Sequence, residues 1–314
     1  MKYKVLCMLL GVVAAEIVIS FYLYFMVFGR KRLPGIPKPE FLKEPNKELK
    51  EFRERNQEGE KWVCTKKTEK MKITAHDGVH LAGTMIWNEV ETEKVIIAVH
   101  GYRGAPMDFF GASIQFYYNL GYHILLVSNR GHGESGGSYI GFGWKDRLDI
   151  CCWCDYLVKK FRGKVQIVLL GVSMGGAAVM MASGEKLPKQ VRCIIEDCGF
   201  VSVWDQLMAC FPKKILIPRY LTLHIASIMS RIIQGYGFKE ADAVKQLQKN
   251  TRPILFIHGD ADKFVPVCSA HEAYHTAHGK KQLLTVKGAD HILSYLKKTA
   301  IYEKTVQEFL ENYL

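Results

Sequence analysis

Residues 165–182 read Val-Gln-Ile-Val-Leu-Leu-Gly-Val-Ser-Met-Gly-Gly-Ala-Ala-Val-Met-Met-Ala. The apolar run Val165–Leu170 predicts a buried strand, and the small residues of Gly176–Ala182 predict a helix. The segment Gly171–Gly175 between them has the pattern G-x-S-x-G, with Ser173 at its centre. A strand, a tight turn and a helix with serine at the apex form a nucleophile elbow. The stretch therefore predicts Ser173 as a nucleophile, and the alternative is a glycine-rich turn without a chemical role.

The segments around this elbow alternate between strand and helix patterns. Apolar and β-branched runs predict further strands at Met71–Ala75, His80–Trp87, Val95–Val99, His123–Val127, Val191–Ile195, Pro253–Ile257 and Gln282–Val286. Helical patterns cover residues 108–119, 144–161, 266–277 and 292–313. Such alternation predicts an α/β fold, with a mostly parallel sheet that carries helices on both faces.

Two loops after late strands supply the partners that a serine nucleophile requires. Serine needs a histidine base and an acid that orients the histidine. Asp262 follows the strand Pro253–Ile257, and His291 follows the strand Gln282–Val286. Serine, aspartate and histidine thus follow three strand ends in the order that this architecture uses. The sequence predicts a triad of Ser173, Asp262 and His291, with Asp260 as a turn former.

Other polar residues at strand ends have competing interpretations. The pair Glu196-Asp197 follows the strand Val191–Ile195 and is a rival position for the acid, but Asp262 has the fuller context. His258 and His100 are interpreted as structural residues at strand ends. The glycine-rich segment 129–137 lacks the Gly-Lys-Ser/Thr ending of a nucleotide-binding loop, which favours a structural turn near the site.

Backbone N–H groups are the expected ligands of the oxyanion that forms when serine attacks a carbonyl. In a nucleophile elbow, the residue after the nucleophile supplies one donor, which is Met174 here. The loop after an earlier strand supplies the other, and residues 100–104 follow the strand Val95–Val99. The backbone N–H of Tyr102 is the predicted second donor.

The N-terminal segment predicts a membrane anchor over residues 1–29. The run Val5–Phe28 is long enough to cross about 30 Å of hydrocarbon as a helix. It has neither the short core nor the small-x-small cleavage site of a signal peptide, which favours an uncleaved signal anchor. Glu16 is interpreted as a protonated or snorkelling side chain, and a helix–helix contact is the alternative. Basic residues flank both ends, so the side of the membrane stays open.

Charge and cysteine content limit the classes of partner. The net charge is +12, from 43 basic and 31 acidic residues. The basic residues are spread along the chain, which argues against nucleic acid as a partner and favours an anionic membrane surface.

The nine cysteines are odd in number and lie mostly in predicted core elements, so we expect free thiols. The group Cys151, Cys152 and Cys154 lacks a second pair of ligands, which argues against a metal site.

Composition also predicts how the chain is divided. Residues 30–65 are proline-rich and then charged, which predicts a linker or stalk with a solvated helix. Residues 66–199 and 250–314 carry the strand–helix alternation and form the predicted catalytic domain. The intervening segment 200–249 has no strand pattern and predicts a helical cap above the sheet. Its apolar residues line a substrate pocket or simply pack against the main domain.

Five motifs together resemble the α/β-hydrolase superfamily. They are H-G-Y-R-G at 100–104, R-G-H-G-E-S at 130–135, G-V-S-M-G-G at 171–176, H-G-D-A-D-K-F-V-P at 258–266 and G-A-D-H at 288–291. They look most like its serine-aminopeptidase-like (S33-type) and lipase/esterase branch. The anchor and residues 139–149 resemble bacterial membrane-anchored hydrolases of that branch. The resemblance covers residues 70–314 and implies an eight-stranded sheet, a cap, no metal and no organic cofactor.

The expected function is therefore a membrane-anchored serine hydrolase that cleaves carboxylic esters through an acyl-enzyme. The substrate is a small or lipid-like acyl compound, and the resemblance does not specify the acyl chain. A peptidase or amidase of the same fold is the first alternative. A catalytically silent, membrane-tethered binding protein is an alternative from a different class. The sequence does not indicate an oligomeric state.

Overall fold

The computed structural model describes residues 2–31, 47–211 and 218–314, and an eight-stranded sheet lies at its centre. The strands are β1 (Thr68–Thr74), β2 (His80–Ile86), β3 (Lys94–Val99), β4 (His123–Ser128), β5 (Gln166–Val172), β6 (Val191–Asp197), β7 (Ile254–Gly259) and β8 (Lys281–Val286). Their order across the sheet is β1-β2-β4-β3-β5-β6-β7-β8. Strand β2 is antiparallel to both neighbours, and the other pairs are parallel. The mostly parallel sheet predicted from the sequence is confirmed.

Helices lie before, between and after these strands. In chain order they are α1 (Lys2–Phe28), α2 (Lys47–Val63), α3 (Met107–Phe110), α4 (Ile114–Asn119), α5 (Asp146–Lys160), α6 (Met174–Ala182), α7 (Val203–Cys210), α8 (Arg219–Gln234), α9 (Ala243–Leu247), α10 (Cys268–Thr276), α11 (Ser294–Lys297) and α12 (Thr299–Tyr313). Residues 32–46 of the predicted linker and 212–217 of the predicted cap lie outside the described residues.

The central strands are buried on both faces, which explains their continuous apolar runs. Successive residues of a strand point to opposite faces of a sheet. In β3, Ile97 belongs to the hydrophobic cluster on one face and Ile96 to the cluster on the other. Trp153 of α5 packs into the first cluster, and Phe309 of α12 packs into the second. Because helices cover both faces of the sheet, the strand residues that point to either face are apolar.

The helix predicted over residues 108–119 is divided into α3 and α4. An unbroken helix would carry a hydrogen bond from the Ala112 N–H to the Asp108 carbonyl. The amide side chain of Asn56 lies between these two groups. It accepts from the Ala112 N–H at 2.8 Å and donates to the Asp108 carbonyl at 2.8 Å. Insertion of a side chain into the hydrogen-bond ladder is a recognised cause of helix interruption.

Helix α2 packs against the sheet domain, which differs from the solvated helix expected within residues 30–65. Its buried residues Leu49, Phe52, Asn56 and Gly59 recur every three or four positions and form one face. A Cβ atom on Gly111 would lie 2.4 Å from the Asn56 carbonyl oxygen, so the two backbones approach closely. The contact between Asn56 and Gly111 joins residues that are distant in the chain. The local charge pattern of residues 30–65 therefore does not predict it.

The segment 200–249 leaves and rejoins the sheet domain at one point. Ser202 and Asp242 form an antiparallel bridge. Next to this bridge, the Val203 N–H donates to the Ala241 carbonyl at 3.0 Å, and the Ala243 N–H donates to the Val201 carbonyl at 2.7 Å. Helices α7 and α8 lie between these anchoring bonds. The two ends of the segment are therefore joined to each other, as expected of an inserted unit. The domain boundaries themselves stay a prediction.

The C-terminal half of α1 is docked on the rest of the protein. Buried residues recur every four positions, at Glu16, Ser20, Tyr24 and Phe28, and so form one stripe along the helix. The Phe28 ring lies 5.0 Å from the Phe238 ring in a stacked arrangement. The interpretation of Glu16 as a snorkelling side chain is wrong. Its carboxyl group is buried and accepts a hydrogen bond from the Thr222 hydroxyl of α8 at 2.5 Å.

Phe28→Ala is expected to destabilise the sheet domain as well as the docking of α1. The Phe28 side chain is 1% exposed and belongs to the main hydrophobic cluster, so its removal leaves a cavity that costs about 3–5 kcal/mol. Thermal unfolding of the detergent-solubilised protein measures the effect. Phe21→Ala is the matched control, because Phe21 lies on the same helix and is 45% exposed. Equal melting temperatures for the two variants would contradict the docking of α1.

Candidate active site

Ser173 lies at the junction of β5 and α6 in a strained backbone conformation. Its φ is 58° and its ψ is −119°, a combination that costs a non-glycine residue about 1–3 kcal/mol. The Ser173 N–H donates to the Asp197 carbonyl at 2.8 Å, and its carbonyl accepts from the Ala177 N–H at 3.0 Å. These bonds hold the turn in place, so that the side chain projects from the carboxyl edge of the sheet.

Glycine is required beside this serine for steric reasons. A Cβ atom on Gly175 would lie 1.8 Å from the Val99 carbonyl oxygen. Helix α6 therefore begins in direct contact with the end of β3, and no larger residue fits there. This is the close approach of strand and helix that the G-x-S-x-G pattern predicts.

The structure brings Ser173, His291 and Asp262 together in one hydrogen-bonded chain. The Ser173 Oγ atom lies 2.8 Å from the His291 Nε2 atom. The His291 Nδ1 atom lies 2.7 Å from the Asp262 Oδ2 atom. All three residues are buried, and they follow β5, β8 and β7 respectively. They meet at one edge because the carboxyl ends of parallel strands lie together.

The Asp262 carboxylate is held in position by its own loop. Its Oδ1 atom accepts hydrogen bonds from the backbone N–H groups of Phe264 and Val265, each at 2.8 Å. Burial alone would raise the pKa of Asp262, but hydrogen bonds with His258 and His291 outweigh it and hold that pKa well below its usual range. The ionised carboxylate can only accept, so the His291 Nδ1 atom carries the proton and the Nε2 atom accepts from Ser173.

The two loops that carry Asp262 and His291 are tied to each other. The Asp260 carboxylate accepts from the Gly288 N–H at 2.6 Å. The Ala261 N–H donates to the Ala289 carbonyl at 3.1 Å. Asp260 thus lies in the turn and not beside His291, in agreement with its expected role as a turn former.

His258 lies closer to the site than the sequence indicated. Its Nε2 atom is 2.8 Å from the Val265 carbonyl oxygen and 3.4 Å from the Asp262 Oδ2 atom. Burial lowers the pKa of His258, but the Asp262 hydrogen bond and the Glu196 charge reverse this effect and raise it. His258 therefore supports the loop of Asp262 through the Val265 carbonyl and through the same carboxylate oxygen that faces His291. The sequence places His258 only four residues before Asp262. That spacing alone does not show whether the two side chains are in contact.

The rival acid positions Glu196 and Asp197 are deeply buried behind the site. The Glu196 Oε2 atom accepts from the Gly199 N–H at 2.9 Å. Burial raises the pKa of Glu196 to about 8, against an opposing effect of His258. Burial likewise raises the pKa of Asp197 to about 6. Glu196 therefore keeps its proton near neutral pH and is poorly suited to stabilise a histidine cation, and the Asp262 carboxylate is the one that lies 2.7 Å from His291 Nδ1.

Glu196→Gln is expected to stabilise the protein at alkaline pH. The carboxyl group binds its proton up to about pH 8 when folded but only up to about 4.5 when unfolded. Its contribution to stability is therefore complete below pH 4.5 and is lost as the pH rises towards 8. Glutamine is neutral throughout and keeps an acceptor for the Gly199 N–H. Melting temperatures at pH 5 and pH 8.5 measure the effect, and Glu91→Gln, at an exposed position, is the control. A gain in melting temperature of equal size at both pH values would contradict the prediction.

The loop predicted to hold an oxyanion donor lies against the serine. A Cβ atom on Gly101 would lie 3.2 Å from the Ser173 Cβ atom. Met174 is the first residue of α6, where backbone N–H groups have no partner within the helix. The buried His100 ring contacts the Gly101 carbonyl at 2.8 Å and accepts from the Asn129 N–H at 3.1 Å. Burial lowers the pKa of His100 to about 3, which suits the structural role expected of it.

The same loop also binds the end of α1, which the sequence did not indicate. The Tyr102 hydroxyl donates to the Val27 carbonyl at 2.7 Å. The Arg103 guanidinium donates to the carbonyls of Met26 at 2.8 Å and Gly29 at 2.7 Å. A cation at this end satisfies helix carbonyls and offsets the helix dipole. Side chains that cap a helix more than seventy positions away leave no local pattern.

The glycine-rich segment 129–137 forms a turn beside this loop. The buried Arg130 guanidinium is paired with Asp149 at 2.5 Å and with Asp77 at 2.9 Å. The Arg30 guanidinium donates to the Ser135 carbonyl at 2.5 Å. The polar groups of segment 129–137 thus bind other parts of the fold. This is the role expected of a structural turn.

Two other features among the described residues have the outline of a binding site. Cys198, Asp262 and His291 offer ligand atoms that lie within 4.8 Å of one another. Asp262 and His291 already satisfy each other at 2.7 Å. A groove of about 980 Å³ lies between α2, α4 and α12, but its charged lining contains none of Ser173, Asp262 and His291. The candidate site is therefore the hydrogen-bonded chain of Ser173, His291 and Asp262 at the carboxyl edge of the sheet.

Comparison with known proteins identifies the family. The sequence pattern of the prolyl oligopeptidase family, peptidase family S9, matches residues 107–314. The chain belongs to the prolyl oligopeptidase family. This family assignment confirms the α/β-hydrolase superfamily that the five motifs resemble. By family and fold the protein is a hydrolase.

Relatives and solved structures extend this likeness along most of the chain. The uncharacterized protein YqkD of Bacillus subtilis is 29% identical over 71% of this chain and 72% of its own length. An uncharacterized membrane protein of Saccharomyces cerevisiae is 29% identical over 66% of this chain and 67% of its own. The esterase Pf2001 of Pyrococcus furiosus superposes with a TM-score of 0.66 over 81% of this chain and 95% of its own, at 24% identity. That structure shares the fold.

Proposed function

We propose that the protein is a membrane-anchored serine hydrolase that cleaves carboxylic esters. One observation carries the proposal: a strained serine at a strand–helix turn lies 2.8 Å from a histidine that lies 2.7 Å from an ionised aspartate. A nucleophile, its base and an orienting acid are the parts that acyl transfer requires. The fold that this family shares with esterases supports the same chemistry.

The reaction has two halves. The Ser173 Oγ atom attacks the acyl carbonyl carbon as His291 Nε2 takes its proton, and Asp262 stabilises the histidine cation. The bond to the leaving alcohol then breaks, His291 returns the proton to that oxygen, and an acyl-enzyme remains. In the second half, His291 takes a proton from water, which attacks the acyl carbon. The acid leaves, and Ser173 regains its proton.

The backbone N–H groups of Met174 and Tyr102 are the proposed oxyanion donors. The position of Met174 at the start of α6 supports its role, because helix N-termini favour negative charge. The position of residues 100–104 against Ser173 supports the role of Tyr102. Donors of this kind act on the charge that develops in the transition state and not on the substrate.

The anchor and the cap complete the proposal. Tyr3–Phe28 forms 26 residues of one helix, which is long and apolar enough to cross a membrane. The yeast relative is itself described as a membrane protein. Residues 200–249 form the proposed cap, and Gln206 of α7 donates to the Phe264 carbonyl in the Asp262 loop at 3.1 Å. The substrate is a small or lipid-like acyl ester that reaches Ser173 beneath this cap.

Labelling with a fluorophosphonate probe tests the proposal. The probe reacts only with an activated serine, so we expect one adduct, located by mass spectrometry on the peptide that contains Ser173. A panel of p-nitrophenyl esters of increasing chain length and matched thioesters then defines the acyl group. A protein that neither labels nor hydrolyses any ester would be a binding protein, and the proposal would fail.

Peptide-bond cleavage is the second candidate, because the matching family is one of peptidases. An acylaminoacyl peptidase of Pyrococcus horikoshii has the same fold, with a TM-score of 0.56, but the match covers 41% of that chain. The esterase match covers 95% of its chain, which favours esters as the first choice. Hydrolysis of aminoacyl p-nitroanilides faster than of the corresponding esters would favour the peptidase.

A further inference from the structure

Polar side chains are concentrated on the faces at which α1 and α8 meet. The Glu16 carboxyl accepts from the Thr222 hydroxyl at 2.5 Å. Eight residues further along α1, the Tyr24 hydroxyl accepts from the Gln234 amide at 2.9 Å. Both pairs lie inside the contact, so the two helices run side by side in the same direction and are joined by hydrogen bonds.

The outer faces of the same two helices are apolar. On α8, Leu221, Ile228 and Ile232 lie on one side of the helix and are 49%, 60% and 79% exposed. On α1, large apolar residues such as Ile17 and Phe21 are also exposed. A helix pair in water has the reverse arrangement, with apolar residues inside and polar residues outside. Polar contacts between helices and apolar outer faces are the arrangement of helices in lipid.

Few exposed charges interrupt the outer face of α8. Arg231 is paired with Glu240, so its charge is balanced locally. The Arg219 guanidinium lies over the Tyr220 ring at 5.4 Å, at the N-terminal end of the helix. Basic residues at the margins of an apolar face are typical of helices that lie at a membrane surface. The apolar face of α8 lies beside α1, because the two helices are joined at Glu16 and Thr222 and again at Tyr24 and Gln234.

We infer that the outer face of α8 is inserted in the lipid bilayer beside α1. The inference rests on the proposed membrane anchor, and it adds a second membrane-bound element. The occupant of this face is the acyl-chain region of the leaflet next to the hydrolase domain. Since α8 belongs to the proposed cap and α1 ends at the Tyr102 loop, the bilayer surface lies close to Ser173.

Tryptophan quenching in the full-length protein tests this inference. Ile228→Trp and Ile232→Trp are reconstituted into phosphatidylcholine vesicles, with or without bromine on the acyl chains, and compared with the parent chain and its five tryptophans. We expect the added emission to fall at least about twofold in brominated vesicles, because residues on an inserted face contact acyl chains. Ile301→Trp is the matched control, since Ile301 of α12 is 52% exposed on the hydrolase domain.

Each outcome has a distinct meaning. Vesicle-bound protein in which the α8 variants are no more quenched than the Ile301 variant would overturn the inference. Blue-shifted but unquenched emission from the α8 variants would place this face against another protein and would also overturn it. Protein that does not sediment with vesicles would exclude both the anchor and the inserted α8. Fluorophosphonate labelling of the same samples tests Ser173 separately, so failure of the hydrolase proposal is distinguishable from failure of this one.

Discussion

Ser173→Ala is expected to lower hydrolysis of p-nitrophenyl butyrate by at least about 10⁴-fold. The variant removes the atom that forms the acyl-enzyme and leaves only the oxyanion donors and substrate binding. It removes no packing atoms beyond the hydroxyl, and alanine occupies the same backbone conformation. The melting temperature should therefore stay within a few degrees of that of the parent.

Initial rates and fluorophosphonate labelling measure the result. Ser183→Ala is the matched control, because Ser183 is also buried and lies at the other end of α6. Its hydroxyl donates to the Met180 carbonyl at 2.7 Å, within its own helix. We expect this control to label and hydrolyse as the parent does. Undiminished turnover by the Ser173 variant would exclude Ser173 as the nucleophile.

Asp262→Asn is expected to lower kcat by about 10⁴-fold with little change in KM. The oxygen of the new amide side chain can still accept from the Phe264 and Val265 N–H groups, so the loop keeps its shape. The amide nitrogen would replace the Oδ2 atom, which now lies 2.7 Å from His291 Nδ1. A donor at that position favours the wrong tautomer of His291, with its proton on Nε2, where it cannot accept from Ser173.

Two variants test the choice of Asp262 over its rivals. Asp260→Asn changes the neighbouring carboxylate, whose partner is the Gly288 N–H, and should retain most of the activity. Glu196→Gln changes the alternative acid and should also retain it near neutral pH, where Glu196 already carries its proton. A loss of kcat in either variant as large as that of Asp262→Asn would transfer the role of the acid to that residue.

Local patterns accounted for much of the sheet and for the candidate residues. Buried parallel strands have continuous apolar runs, and each strand of the sheet was predicted within a few residues of its observed bounds. Helix interruptions were harder to predict. The break between α3 and α4 depends on the Asn56 side chain from a distant helix, and no pattern within residues 108–119 reports it.

The sequence by itself determined the order of strands and helices, the tight turn at Ser173, and the positions of Asp262 and His291 after two later strands. These features follow from periodicity and turn chemistry, which act over a few residues. Only the tertiary structure decided that Glu16 faces Thr222, that Arg103 caps α1, and that His258 contacts Asp262. Such contacts depend on how distant segments pack, because a hydrogen bond requires a distance and a direction that no single segment specifies.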